Sequence, residues 1–145
     1  MQIKSIDAIE ILDSRGVPSI HTSVVLNSGH KGEAMVPSGA STGKKEAFEL
    51  RDNDGRFDGN GTKKAIENIK NLIQPALMGK HIEEQKELDQ IMINLDGTRQ
   101  KKKIGANSIL SVSLACTRAA ANAMNLPLYD YIRILFNSKS GKGST

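Results

Sequence analysis

Polar and apolar positions alternate with period two through the first third of the chain. From Thr62 onward they recur at three and four, so a strand region is followed by a helix region. Ile3 to Leu12 reads as a first strand, with Ile9 and Ile11 flanking Glu10. Asp13-Ser14-Arg15-Gly16-Val17-Pro18 breaks it, because Asp and Ser favour turns and Pro18 cannot donate to a ladder. Ile20 to Leu26 alternates again, with Ile20, Val24 and Leu26 on one face, and Asn27-Ser28-Gly29 signals a hairpin into a third strand from about Gly32 to Val36. Short turns between three strands predict an antiparallel meander.

The helical half predicts four elements. Thr62 is placed to cap the first, whose Ala65, Ile66, Ile69, Leu72 and Ile73 share a face and which Pro75 is expected to stop. The second carries Leu88, Ile91, Met92 and Leu95, with Glu83 and Glu84 at its positive end and Asp96-Gly97 closing it. The third begins near Ala106 or Asn107, with one stripe of Ile109, Val112, Cys116, Ala119 and Ala123 and a second of Leu110, Leu114, Ala121 and Met124, which predicts the buried centre of the helical layer. Asn125 and Pro127 end it, and Pro127 starts a fourth with Leu128, Tyr131, Ile132 and Leu135 on one face. The expected fold is α+β, a three-stranded antiparallel meander followed by a layer of about four helices on one face of the sheet.

Composition narrows the core and the partners. A chain of 145 residues is long enough to bury a single core, and with aromatics at 3% and no tryptophan that core is built from Ile, Leu, Val, Met and Ala. The same scarcity argues against the stacking platforms of nucleic-acid binders. The formal charge of +4 is concentrated in Arg99-Gln100-Lys101-Lys102-Lys103, a run read first as a solvated loop. The single Cys116 lies in an apolar helical run and reads as a buried, inert thiol, which fits a reducing cytoplasm. The N-terminus lacks a signal peptide's apolar core, and no apolar run approaches membrane-spanning length.

Candidate chemistry centres on Val36-Pro37-Ser38-Gly39-Ala40-Ser41-Thr42-Gly43, the densest run of small and hydroxylated residues in the chain. Its glycines let carbonyls, amides and hydroxyls turn toward an anion or a metal, but the loop holds no titrating group. A mobile surface turn has the same composition. A P-loop is excluded, because only three residues separate Gly39 from Gly43 and Lys44 is followed by Lys45. Asp52, Asp54 and Asp58 around Gly55 lack the spacing and closing Glu of a calcium loop.

Several segments in the same order resemble the N-terminal domain of the enolases, the phosphopyruvate hydratases. They are Asp13-Ser14-Arg15-Gly16-x-Pro18, Val36 to Gly43, Glu46-Ala47, Glu49-Leu50-Arg51-Asp52, Leu95-Asp96-Gly97-Thr98, Gly105-Ala106-Asn107-Ser108-Ile109-Leu110, Val112-Ser113-Leu114-Ala115 and Pro127-Leu128-Tyr129. The resemblance implies such a domain over residues 1–136, a linker or disordered tail over 137–145, and a catalytic barrel domain absent from these residues. It implies a glycolytic, cytoplasmic enzyme that dehydrates 2-phosphoglycerate to phosphoenolpyruvate with Mg²⁺, works as a homodimer when full length, and has no membrane or nucleic-acid partner. Ser41 corresponds to the family's loop serine that reaches magnesium, and Ser38, Gly39, Ala40, Ser41, Thr42 and Gly43 form the lid over substrate. The family's proton-transferring Glu and Lys and its main metal carboxylates lie in the barrel, so no catalytic residue is expected here and the fragment alone is expected to be inactive.

The chain departs from the family's pattern at five places. Ile9 and His21 stand where an Arg and a Glu often pair subunits, Val17 replaces an Asn, and Gln100 and Lys102 replace an Asn and a Ser. The family's dimer is therefore expected without its usual salt bridges. The competing reading is a non-catalytic interaction module whose sheet surface and basic 99–103 loop bind a protein or an acidic polymer. A third is a phosphate binder helped by Arg15, Lys44, Lys45 and Arg51.

Overall fold

The computed structural model describes residues 1–36 and 49–144, the last seven of these by backbone alone. Three strands, β1 (Ile3–Leu12), β2 (Pro18–Leu26) and β3 (Lys31–Val36), form an antiparallel sheet in the order β1-β2-β3. The expected α+β meander is present, and its helices follow it in the chain. The face β1 buries is the opposite of the expected one. A register shift between Ile3 and Ser5 changes the phase, so Ile6 and Ala8 point into the core while Ile9 is 53% exposed. Glu10 shares the inward phase because its carboxylate has partners there, described below. Strand β2 starts earlier than its apolar run, since Pro18 pairs with Leu12 at the sheet's end, where the ladder can spare an N–H.

The first helical stretch runs on past Pro75. It comprises α1 (Lys63–Asn68), a π-helical turn (Ile69–Ile73) and α2 (Gln74–Leu77). Proline removes one donor and its ring crowds the preceding turn, and the wider turn just before it relieves both, so the helix continues. That turn also shifts the phase: Ile69, Ile73 and Leu77 are buried and Leu72 turns outward at 40% exposure. Helix α3 (Gln85–Asp96) closes on Gly97, which adopts the left-handed φ of 69° and donates its N–H to the Ile93 carbonyl. Burial would push the Asp96 carboxyl up, but the Thr98 hydroxyl and the N–H groups of Ile104, Thr98 and Gly105 hold it below the usual carboxylate range. The basic run is thereby tied back at both ends, with Ile104 N–H 2.6 Å from Asp96 Oδ2.

Helix α4 (Ala106–Ala123) is the centre of the helical layer and lies across β2 and β3. The second expected stripe holds only in part: Ala121 is buried and Leu114 packs against the core, but Leu110 and Met124 are 49% and 48% exposed. The buried arc instead takes in Ser108, Ser111, Ala115 and Thr117. Small residues there let α4 approach the sheet, and their hydroxyls have partners: Ser111 Oγ with Thr22 Oγ1, and Ser108 Oγ donating to the Ala65 carbonyl at 3.2 Å. Cys116 is buried as expected, and burial together with Asp89 pushes its thiol up to about 12. Helix α5 (Leu128–Ser144) starts beyond Pro127, buries Tyr131 and leaves Ile132 exposed; its backbone stays helical beyond Phe136.

Candidate functional site

Residues Ser38, Gly39, Ala40, Ser41, Thr42 and Gly43, together with Lys44 and Lys45, lie outside the described residues. The structure describes the two ends from which residues 37–48 depart and return. On the departing side β3 is held in the sheet to its last residue, with Val36 opposite Ile20. On the returning side Leu50 is gripped by one side chain: its N–H donates to Asn107 Oδ1, and Asn107 Nδ2 donates to its carbonyl, both at 3.1 Å. A carboxamide that meets both main-chain groups of one residue acts as a single rung of sheet. Asn107 can do this because it sits in the first turn of α4, nearly buried. Gly105 leads the chain there with φ of 98°, and a Cβ on it would stand 2.6 Å from Leu50 Cβ and 2.7 Å from Asn107 Oδ1, so only glycine fits.

Arg51 and Asp52 extend the mount. Arg51 Nη1 donates to the carbonyls of Pro18 at 2.6 Å and Asn60 at 2.8 Å, while Nη2 pairs with Glu49. The guanidinium thus ties the returning segment to the start of β2. Asp52 is buried and its two oxygens accept the N–H groups of Lys63 (3.0 Å) and Lys64 (2.9 Å). It caps α1 from eleven residues upstream, and the side chain of Thr62, the expected cap, makes no capping bond. Thr62 is drawn elsewhere: its N–H and hydroxyl both donate to Glu10 Oε2, at 2.7 and 3.0 Å. Arg56 Nη2 meets Glu10 Oε1 at 2.5 Å. Burial pushes the Glu10 carboxyl up, and those donors together bring it below its ordinary range, so it stays charged.

The Asp13-to-Pro18 turn is built on Asp13, whose Oδ1 accepts the N–H groups of Arg15 (2.8 Å) and Val17 (2.9 Å). The Val17 bond, with those from Arg15, depresses its carboxyl. Arg15 pairs with Asp13 at 3.3 Å. Arg15 and Arg51, the two described cations of the phosphate-binder reading, are therefore both in structural contacts. Among the described residues, no group of three or more His, Cys, Asp or Glu could hold a metal ion, and no helix is long and apolar enough to cross a membrane. What the arrangement offers chemically is a stiff mount for residues 37–48.

The sequence presents Asn107, Arg51, Asp52 and Gly105 in matching segments, Asn107 also as a possible helix start, Arg51 as a cation of the phosphate-binder reading and Asp52 as a carboxylate near Gly55, but none of them in the contacts made here. Their roles were missed because each partner is distant in sequence, 57 residues in the case of Asn107 and Leu50, and no periodicity reports such a pair. Ile9 and His21 prove to be direct cross-strand partners, and His21 Nε2 lies 3.8 Å from Glu33.

A family described as "Enolase, N-terminal domain" matches residues 3–132. The chain is 52% identical over 132 residues to a protein named Enolase from Mycoplasmoides gallisepticum, covering 91% of this chain and 28% of that protein. It is equally similar to the Enolase of Desulfotalea psychrophila over 131 residues and to that of Campylobacter lari over 130, covering 90% of this chain and 31% of each. The chain thus spans about three tenths of the length of the curated relatives it matches.

Proposed function

From the chain's place in the enolase family, to which it belongs by its N-terminal domain, we propose that the whole protein dehydrates 2-phosphoglycerate to phosphoenolpyruvate and that residues 37–48 cover the reacting centre. The observation that carries this reading is the clamp on Leu50 by Asn107, with Arg51 bridging to Pro18. A covering loop delivers its groups accurately only if both its ends are fixed. The reaction takes a proton from a carbon beside a carboxylate, so negative charge gathers on the substrate, and excluding water strengthens every cation that opposes it.

Ser41 is the metal-reaching residue of this reading. Its hydroxyl is a hard oxygen of the kind Mg²⁺ takes, and Ser38, Gly39, Ala40, Thr42 and Gly43 make up the rest of the lid. In this reading the metal-holding carboxylates, and the groups that move protons, belong to a barrel domain of the longer protein, as the family resemblance implies. Bound magnesium there supplies positive charge against the substrate's carboxylate. On the same reading the protein works in the cytoplasm as a homodimer, and because Ile9 and His21 stand at the two positions, that dimer lacks the Arg–Glu pairing.

The test is a turnover assay on the 145 residues, alone and mixed with a separately produced barrel domain from a relative. We expect no turnover alone and magnesium-dependent turnover in the mixture, which Ser41→Ala lowers by about 10- to 100-fold. Turnover by the 145 residues alone, surviving removal of host enzyme, contradicts the proposal.

A further inference from the structure

A three-stranded sheet has two edges, and each would recruit another strand if left open. The β1 edge is covered by the chain itself: Gln74 Oε1 accepts the Ile6 N–H at 2.8 Å, the Gly79 N–H donates to the Ile3 carbonyl, and the Ile3 N–H donates to Lys80. The β3 edge is treated differently. Two side chains of α4 reach over it, Asn122 Nδ2 donating to the Lys31 carbonyl at 2.6 Å and Arg118 Nη1 to the Glu33 carbonyl at 3.0 Å. The spacings match, because four residues of helix rise about 6 Å and two residues of strand about 6.7 Å. Gly32 sits between the two rungs with no side chain to hold α4 away. A groove of about 470 Å³, lined by Lys31, Glu33, Arg118, Ala121, Asn122 and Leu128, runs beside this edge.

We propose that Arg118 and Asn122 gate a self-pairing site on β3, and that the occupant they exclude is β3 of a second copy of this chain. The pairing is antiparallel, with Lys31 of each copy opposite Glu33 of the other. Charge selects this register. Alternate residues of an edge strand turn both main-chain groups outward, and the outward carbonyls here belong to Lys31 and Glu33. Setting Lys31 against Glu33 places opposite charges face to face at both ends of a two-fold pair, whereas setting Glu33 against Glu33 places like charges opposite. The favoured register needs the two carbonyls that Asn122 and Arg118 occupy. Both charged side chains are half exposed on the open face of the sheet and meet within the strand at 3.1 Å, so each is within reach of a side chain directly opposite on an added strand. The surface is the edge of β3, separate from the exposed Ile9 on β1.

The experiment is sedimentation equilibrium on the 145-residue chain and on the double variant Arg118→Ala, Asn122→Ala. Both positions are exposed on α4, where alanine is a good helix former, so the fold is kept. Self-association should tighten at least about tenfold, the effect of freeing two main-chain hydrogen-bond acceptors. Adding Lys31→Glu should reverse it by opposing like charges, and adding Glu33→Lys to that variant should restore it. A double variant that melts like the parent and associates no more tightly overturns the proposal, as does association that Lys31→Glu leaves unchanged. If the double variant loses its melting transition, the single variants decide: each should associate severalfold more tightly, and no change in either overturns the gate.

Discussion

Replacing Gly32 by alanine should lower the chain's stability by about 3 kcal/mol, the upper end of what overpacking a core costs. The added Cβ would stand 2.1 Å from the Ala119 nitrogen, 2.2 Å from the Ala115 carbonyl oxygen and 2.7 Å from Ala119 Cα. All three are helix backbone atoms, which cannot rotate aside as a side chain would. Helix α4 must lift, and Val112, Ala115 and Ala119 lift with it from the inward face of the sheet. For a chain of this length such a loss corresponds to roughly a 10 °C fall in Tm, readable by circular dichroism. Gly55→Ala is the control, since nothing lies within 4 Å of its added Cβ and its φ is −75°. A Gly32→Ala melt matching that control would mean that α4 does not approach β3 as described.

Asp52→Ala should cost about 2 to 3 kcal/mol in chemical denaturation, the loss of a helix cap together with buried donors left unpaired. Its carboxylate satisfies the first N–H groups of α1 and faces Arg56 at 3.6 Å. Gly61 is part of the same design, because a Cβ there would lie 2.5 Å from Asp52 Oδ2. Asp52→Asn keeps one carbonyl acceptor and should cost less. The discriminating comparison is with Thr62→Ala, whose side chain makes one bond, to Glu10. If Thr62→Ala proves the more damaging of the two, the cap is where the sequence puts it and this assignment fails.

The difference between Asp52 and Thr62 illustrates what could be read from the residues. Strands, turns and most helix boundaries follow local chemistry: Gly29 and Gly97 take positive φ where the sequence wants a hairpin and a C-cap, and the α+β order follows from the change of period. Phase was harder. One register shift near Ile3 exchanged the faces of β1, and one π-helical turn moved Leu72 outward, because neither leaves a mark in composition. The buried arc of α4 was misjudged for a different reason, since Ser108 and Ser111 read as polar until Ala65 and Thr22 supply their partners. The mount around residues 37–48 was legible only as matching segments. Asn107 looks like any residue early in a helix until the chain brings Leu50 to it.

Amide hydrogen exchange over residues 37–48 tests the covering role most directly. It should be measured on the chain alone, with a relative's barrel domain, and with that domain plus Mg²⁺ and 2-phosphoglycerate. The account predicts that exchange there slows substantially only in the last mixture, while Leu50, held by Asn107, exchanges slowly in all three. Exchange over 37–48 that is unchanged by barrel, metal and substrate together, or already slow in the chain alone, would contradict it.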